Sequence, residues 1–276
     1  MTTMFNAVLE LVNMLGTLRV STATGGDTTS ILDTKRLEAD DTWNGGSAFI
    51  ITDAGGASAA PEGEWARVSD FANTGGDITI SAVTVAIAAG DTYGVSAGRY
   101  PLDVLISAIN NEIIKHKIPR YDTTSLDIVA AQWEYDLPTG ITGDNLIGVY
   151  ESTSTDSDDN QWTPLSWSVQ EAATGSVHLL VIESRNVTSG NDIMLEYLSR
   201  LSPLYLATDE IDDIVPMARI LPAAAAQCEL IRMRTYDSGD PLDIEMLKFY
   251  RDEARQARLE NKIRLPARRG KVNEAQ

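Results

Sequence analysis

Cysteine and histidine are almost absent from this chain of 276 residues, which contains one Cys and two His. With Cys228 alone, no disulfide can form within the chain. A structural zinc site needs several clustered Cys or His ligands, and Cys228, His116 and His178 are too widely spaced to predict one. The scarcity of cysteine fits synthesis in a reducing cytoplasm.

Long apolar runs are also missing. No segment approaches the roughly 18 apolar residues that a membrane-spanning helix needs, so no membrane partner is expected. The N-terminal segment MTTMFNAVLELVNML lacks the basic start and the small-residue cleavage site of a signal peptide. Its apolar residues recur at helical spacing, which predicts an amphipathic helix instead.

Positive charge is scarce over most of the chain. There are 22 Lys and Arg against 40 Asp and Glu, a net charge of −18. Such a chain is not expected to bind nucleic acid through the phosphate groups. Residues 251–276 hold eight basic and four acidic residues, a net charge of +4, so residues 1–250 carry −22. This asymmetry predicts a C-terminal tail that meets an acidic partner.

Signatures of catalysis, of cofactor binding and of metal binding are weak or missing. No phosphate-binding loop and no dinucleotide-binding glycine motif occur. The segment Gly94–Gly98 matches the G-x-S-x-G pattern of serine hydrolases, but it lacks a parallel βαβ scaffold and a helix that starts at once. Asp156, Asp158 and Asp159 lack the spacing of a calcium loop. We therefore expect no enzyme, no catalytic residue, no cofactor and no metal.

Apolar periodicity predicts four helices, at 3–15, 101–115, 222–236 and 241–262. Gly16 is expected to end the first helix, and Pro101 and Pro222 to open the second and third. Asp240 is a predicted N-cap followed by Pro241 at the first helical position. Leu242, Met246, Phe249 and Tyr250 form the apolar stripe of the last helix.

Short β-prone runs between glycine-rich turns fill the rest of the chain. The predicted strands are 18–22, 29–32, 47–52, 65–70, 77–81, 92–96, 125–129, 132–136, 145–150, 164–169, 176–182 and 192–199. The fold class expected from this order is α+β, a helical bundle assembled from dispersed helices with antiparallel β inserts. The predicted organisation is an N-terminal helix of the bundle at 1–16, a β-rich insert at 17–100, a bundle helix at 101–116, a second β-rich region at 117–200, a C-terminal helical hairpin at 201–263 and a basic tail at 264–276.

Three segments of the chain carry a family resemblance. Asp91–Tyr93 leads into the helix Tyr100–Asn110, which carries Ala108-Ile109-Asn110. Trp133–Pro138 is followed by Leu146–Tyr150. The helical segments 221–226 and 242–259, with Pro266–Gly270, close the chain. Together these segments resemble the neck adaptors and tail-tubular proteins that connect head and tail in tailed phages.

The resemblance implies a structural protein of the virion neck, made in the cytoplasm of a bacterial host. Such proteins form rings, often dodecamers, below the portal protein. They contact the portal and the tail or neck proteins, and DNA passes through their channel without specific binding. The expected function is therefore a ring subunit that connects the portal to the tail and lines the DNA channel.

The basic C-terminal residues are the predicted docking site for the portal. These residues are Arg251, Arg255, Arg258, Lys262, Arg264, Arg268, Arg269 and Lys271. The first four are spaced three or four apart and so share one helical face. An alternative function uses the β regions, where all five Trp lie, as a tail-fibre, decoration, receptor-binding or glycan-binding module.

Overall fold

The computed structural model describes residues 2–56, 59–152, 161–171, 178–184, 186–212, 215–236, 240–261 and 271–273. The chain divides into two compact units. The first unit contains residues 1–116 and 202–263, and the second contains residues 117–201 and 264–276. In the sequence, residues 117–201 of the second unit therefore separate the two parts of the first unit, and its residues 264–276 follow them.

Four helices occur among the described residues, and all of them belong to the first unit. They are α1 (Met4–Met14), α2 (Leu102–Ile113), α3 (Met217–Thr235) and α4 (Pro241–Glu260). Helix α3 contacts each of the other three. The side chain of Asn110, in α2, is buried and exchanges two hydrogen bonds with the backbone of Leu204, at 2.7 and 2.8 Å. This pair holds the segment that leads back from the second unit against α2.

Two of the predicted helix ends are confirmed. Gly16 has a left-handed backbone with φ of +70°, and its N–H donates to the carbonyl of Asn13 at 2.9 Å. The N–H of Thr17 donates to the carbonyl of Val12, which completes the pair of bonds typical of a glycine that ends a helix. At α4, the Asp240 carboxylate accepts a hydrogen bond from the backbone N–H of Leu242 at 3.0 Å.

The predicted starts of α2 and α3 are wrong. Pro101 is the N-cap of α2 rather than its first residue. Helix α3 begins at Met217, so Pro222 lies inside it. Proline has no N–H to donate to the carbonyl of Ala218, which costs one helical hydrogen bond. The burial of Ile220 and Leu221 in the preceding turn favours the longer helix in spite of that loss.

The larger sheet lies in the first unit and has seven antiparallel strands. In chain order they are β2 (Arg19–Thr22), β3 (Gly25–Gly26), β4 (Ser30–Leu32), β5 (Ser47–Thr52), β6 (Trp65–Ala72), β7 (Asp77–Ile80) and β8 (Thr92–Ser96). Their spatial order is β2-β8-β5-β6-β7-β4-β3. A separate short pair joins β1 (Thr2–Thr3) to β16 (Glu210–Ile211).

Alternating apolar residues of the seven-stranded sheet enclose a hydrophobic core. Val68, Phe71, Ile78 and Tyr93 are among its fully or almost fully buried members. The sheet also contacts α1, since the Phe5 ring lies 6.2 Å from that of Phe49. The predicted strands of this region agree with the observed ones to within about two residues.

Two four-stranded sheets form the second unit. Their strands are β9 (Lys117–Asp127), β10 (Glu134–Asp136), β11 (Leu146–Ser152), β12 (Trp162–Pro164), β13 (Trp167–Glu171), β14 (His178–Ile182), β15 (Asp192–Arg200) and β17 (Lys271–Asn273). The spatial orders are β12-β11-β15-β9 and β10-β14-β13-β17, and only β17 pairs in parallel within them. Their inner faces share a core that includes Tyr135, Trp167, Leu180 and Leu195.

Three details of the second unit differ from expectation. The predicted strand at 164–169 is divided between β12 and β13, which lie in different sheets. Strand β9 begins at Lys117, eight residues before the predicted strand at 125. Its first half contains Pro119 and charged residues, which a strand tolerates at the edge of a sheet, where β9 lies. The segments Trp133–Pro138 and Leu146–Tyr150, which carry part of the family resemblance, contain β10 and β11; these two strands lie in different sheets and do not pair with each other.

The expected fold class, an α+β helical bundle with antiparallel β inserts, is wrong. The described residues are mostly β, with four sheets, and only 26% of them are helical. Each β region encloses a hydrophobic core of its own, in addition to the contact of the larger sheet with α1. The dispersed helices predicted one helical bundle as the framework, whereas the chain has separate cores within its β regions.

Candidate functional site

The predicted docking residues divide into two groups. Arg251, Arg255 and Arg258 lie on α4 with exposed side chains. Lys262, Arg264, Arg268 and Arg269 lie outside the described residues, and Lys271 begins β17. The three arginines do not stand on a free arm, because Ala254 and Ala257 between them are buried.

These three arginines line a cleft between α2, α3 and α4, which we call the basic cleft. Its volume is about 410 Å³, and a recess of about 230 Å³ shares Glu112, Lys115 and Arg258 with it. The lining residues that matter below are Glu112, Lys115, His116, Arg219, Gln227, Arg251, Arg255 and Arg258. Ala223, Ala226 and Ala254 also line the cleft, and their small side chains leave space between the helices.

Glu112 is the carboxylate of the basic cleft. Its side chain is only 5% exposed. One of its oxygens accepts close hydrogen bonds from the Lys115 ammonium and the Gln227 amide. The other lies 3.5 Å from the guanidinium of Arg258. A buried carboxylate with these partners is compensated within the protein and does not need an external cation.

Arg219 and His116 form the inner end of the recess. Arg219 donates to the backbone carbonyl of Asn261 at 3.4 Å, and its buried Nε has no hydrogen-bond partner among the described residues. Burial lowers the pKa of His116, and the positive charge of Arg219 lowers it further. His116 therefore stays neutral at pH 7, and the positive charge of the recess resides on Lys and Arg.

Positive charge exceeds negative charge by four in the basic cleft and its recess taken together. Lys115, Arg219, Arg251, Arg255 and Arg258 line them against the single carboxylate of Glu112. No ion pair formed within the described residues involves Arg251 or Arg255. A local excess of positive charge on a chain of net charge −18 marks this cleft as the candidate site for an anionic group.

The other half of α4 exposes apolar side chains. Leu242, Met246 and Phe249, which share one helical face, are 67%, 39% and 54% exposed. The prediction that this stripe faces the core is wrong except for Tyr250. The buried face is instead Leu247, Tyr250, Ala254 and Ala257, rotated by about 100° from the predicted stripe.

A buried polar network joins Tyr93 of β8 to the segment that follows β4. Arg36 Nε donates to the Tyr93 hydroxyl at 2.8 Å, and that hydroxyl donates to the Asp33 carboxylate at 2.8 Å. The Arg36 guanidinium also lies 5.4 Å from the centre of the Trp43 ring. Each charged group has a partner within the protein, so the network stabilises the fold and offers no reactive group.

A second buried network joins α2, α3 and α4. The Tyr100 hydroxyl donates to Glu229, whose other carboxylate oxygen lies 2.8 Å from Arg232 Nε. Arg232 also pairs with Asp243 at the start of α4, at 2.5 Å. Nearby, burial raises the pKa of the Cys228 thiol to about 12, so it remains protonated and unreactive at pH 7.

The Gly94–Gly98 segment does not have the geometry of a nucleophile elbow. Ser96 ends β8 with its side chain fully buried, and α2 begins only at Leu102. Within the described ranges, no group of three or more His, Cys, Asp or Glu side chains could hold a metal ion. Asp156, Asp158 and Asp159 lie outside those ranges. None of the four helices in the described part has the length and apolar character that crossing a bilayer requires.

The sequence does not predict two of the basic residues that line the basic cleft and its recess. Lys115 follows α2 and Arg219 lies in the first turn of α3, far along the chain from α4. The only sequence signal for the cleft is the spacing of the α4 arginines. That spacing does not indicate which helices pack together. No family model, no curated protein and no solved structure matches this chain.

Proposed function

We propose that this chain is a structural subunit of a phage virion neck, which assembles into a ring, connects the portal to the tail and lines the DNA channel. The resemblance of the segments around Tyr100–Asn110 and in the C-terminal helices supports this role. The net charge of −18 also supports it, because an acidic wall repels DNA phosphates and lets DNA pass without binding.

The observation that carries the proposal is the exposed apolar face of α4. Leu242 and Phe249 are more than half exposed, with Met246 between them on the same face. Contiguous apolar side chains at a surface are typical of protein–protein contacts. A subunit of a larger assembly needs such a surface, whereas a monomeric binding module does not.

Native mass spectrometry and electron-microscopy class averages of the purified chain, alone and with portal protein, test the assembly. We expect closed rings with cyclic symmetry. Replacing Leu242, Met246 and Phe249 by Gln should reduce ring formation without unfolding the chain. Monomers or trimers alone, with portal present, would contradict a neck ring.

The basic tail beyond α4 is proposed to dock on the portal. A chain that ends at Asn261 retains all four helices but loses Lys262, Arg264, Arg268, Arg269 and Lys271. We expect it to stay folded, because the strand it loses, β17, has three residues and lies at the edge of its sheet, and we expect it to fail to attach to heads. The control is a full-length chain with these five residues replaced by Gln, which keeps the length of the tail. Normal attachment of both variants would show that the tail is not the docking element.

The β-rich fold favours one alternative function, a fibre, decoration, receptor-binding or glycan-binding module. Trp133 and Tyr121, both in the second unit, are 44% and 59% exposed, and exposed aromatic rings can stack on sugars. Fibre proteins are usually trimers, so the same mass measurement separates the two functions. Binding to a glycan array that is lost on Trp133→Ala would favour the alternative.

A further inference from the structure

The basic cleft holds more positive charge than the protein around it neutralises. Glu112 compensates Lys115 and part of the charge of Arg258, but Arg251 and Arg255 have no carboxylate partner among the described residues. Both line the cleft, and Arg219 lines its recess. We infer that the basic cleft binds an acidic surface of a second copy of this chain. The inference rests on the proposed assembly and names a contact within it.

The acidic surface that we assign to this contact is formed by Asp40, Asp41 and Asp70, which we call the acidic patch. All three are exposed. The amide of Asn44 donates to Asp41 at 2.6 Å and to Asp70 at 3.3 Å, so these two carboxylates lie close together. None of the three takes part in an ion pair formed within the described residues.

The acidic patch is held rigidly. Asp40 accepts a hydrogen bond from the backbone N–H of Asn73 at 2.7 Å. The backbone N–H of Asp41 donates to the carbonyl of Phe71 at 3.0 Å. These bonds fix the turn that precedes β5 against the end of β6. A fixed group of carboxylates loses little conformational freedom when it enters a cleft, which favours binding.

Cleft and patch are on different parts of the same unit and share no residue. The cleft is built by α2, α3 and α4, and the patch by the turn before β5 and by β6. A contact between one copy's cleft and the next copy's patch is therefore heterologous. Contacts of this kind close into rings or continue as open filaments.

Charge also argues for protein carboxylates against DNA as the occupant. Duplex DNA brings a negative charge for about every 1.7 Å of its axis, and the −22 carried by residues 1–250 repels it. The acidic patch presents only three carboxylates to the excess of four positive charges in the cleft and its recess. Each exposed ion pair is weak alone, but the contact repeats at every subunit of an assembly.

A charge-reversal experiment on the full-length chain tests the contact. The cleft variant carries Arg251→Glu and Arg255→Glu, and the patch variant carries Asp40→Lys and Asp70→Lys. The control, Arg19→Glu with Arg234→Glu, changes the net charge as much as the cleft variant at exposed residues outside the cleft. Circular dichroism and thermal unfolding establish that each variant is folded. Analytical ultracentrifugation and native mass spectrometry then measure association.

We expect each reversed variant to associate at least about tenfold more weakly than the natural chain, because like charges then face each other. The control should associate as the natural chain does. A one-to-one mixture of the cleft and patch variants should regain association, since every contact in an alternating assembly again pairs opposite charges. Native mass spectrometry should show equal numbers of the two variants.

Three results would overturn the inference. Either reversed variant could associate as strongly as the natural chain, or the two variants could be folded and dissociated and still fail to associate when mixed. The third result is that the natural chain binds a 20-base-pair duplex at physiological salt and the cleft variant does not. Rings that persist in the cleft variant would refute this contact and leave the neck proposal intact. Open filaments or dimers that depend on cleft and patch would refute the ring and leave the contact intact. Monomers under all conditions, with portal present, would refute both.

Discussion

Gly75 and Gly76 are neighbours in the turn between β6 and β7, and both have left-handed backbone conformations, with φ of +86° and +63°. Only Gly76 is also confined by space. A Cβ at Gly76 would lie 1.9 Å from the backbone carbonyl oxygen of Asp33, whereas a Cβ at Gly75 would meet nothing within 4 Å. Gly76 therefore allows two backbone segments to lie in close contact, whereas Gly75 is needed only for the left-handed conformation of the turn.

Alanine at the two positions should separate these effects. Gly75→Ala should lower the free energy of unfolding by about 1–2 kcal/mol, the cost of a side chain in a left-handed conformation. Gly76→Ala should cost about 1–3 kcal/mol more, because the backbone must shift to relieve the overlap. Denaturant titration of both variants measures the difference. Equal losses of unfolding free energy would mean that the backbone around Asp33 can move away from the added Cβ at little cost.

The stability of the first unit should depend on pH through Asp33. Burial alone would raise the pKa of this carboxyl, but hydrogen bonds from Ser21, from the backbone N–H of Lys35 and from Tyr93 outweigh it, so its pKa lies below 3.8. A carboxyl with a lowered folded pKa stabilises the fold above its unfolded pKa. That contribution is lost as pH falls through the folded value.

Asp33→Asn should unfold more easily than the natural chain by about 1–3 kcal/mol at pH 7. The difference in unfolding free energy between Asp33→Asn and the natural chain should become smaller as the pH falls below about 4. Denaturant unfolding at pH 7, 5, 4 and 3 measures it. The control is Asp103→Asn, whose side chain is 67% exposed and which should change stability by less than about 0.5 kcal/mol throughout. A difference that is independent of pH would contradict the role of the Asp33 charge.

Helix α4 has two functionally different faces. Leu247 is buried, and Leu242, five residues earlier on a different face, is 67% exposed. The buried face holds α4 against α3. The exposed face is free to contact another protein. Substitutions on the two faces should therefore affect different measurements.

Leu247→Ala should lower the free energy of unfolding by about 2–5 kcal/mol, because it removes buried methyl groups and leaves a cavity. Leu242→Ala should change it by no more than about 0.5 kcal/mol. Thermal and denaturant unfolding, followed by far-ultraviolet circular dichroism, compare the two. A large loss for Leu242→Ala in the isolated chain would mean that this face is covered by the chain itself.

In the whole molecule, each β region has a self-contained core. One core is formed entirely by residues between Ala23 and Ala97, and the other entirely by residues between Leu126 and Tyr197. No member is shared. Local stability should therefore respond to core substitutions one unit at a time.

Hydrogen exchange measured by mass spectrometry tests this independence. Leu195→Ala should raise exchange in residues 117–201 and leave that of the seven-stranded sheet unchanged. Ile78→Ala should do the reverse. Both side chains are fully buried, so each substitution should cost about 2–5 kcal/mol. A rise in exchange throughout the chain from either variant would show that the two units unfold together.

Local signals in the sequence determined most of the secondary structure. Gly16 ends α1 and Asp240 caps α4 as predicted, because a left-handed glycine and a capping carboxylate act within a few residues. Strands such as Ser47–Thr52 and Thr92–Ser96 were predicted with their observed bounds, since alternation and turn glycines are also local. The uneven distribution of charge could likewise be read directly from the residues.

Only the tertiary structure decided which segments carry the cores and which residues meet. Pro222 lies inside α3 because the burial of Ile220 and Leu221 favours an earlier start, which no local rule contains. Phe249 is exposed while Leu247 is buried, because the position of α3 selects the face of α4 that packs. Arg219 and Lys115 join the arginines of α4 at one cleft only through helix packing. Such contacts depend on residues far apart in the chain, and the pattern of a single segment does not encode them.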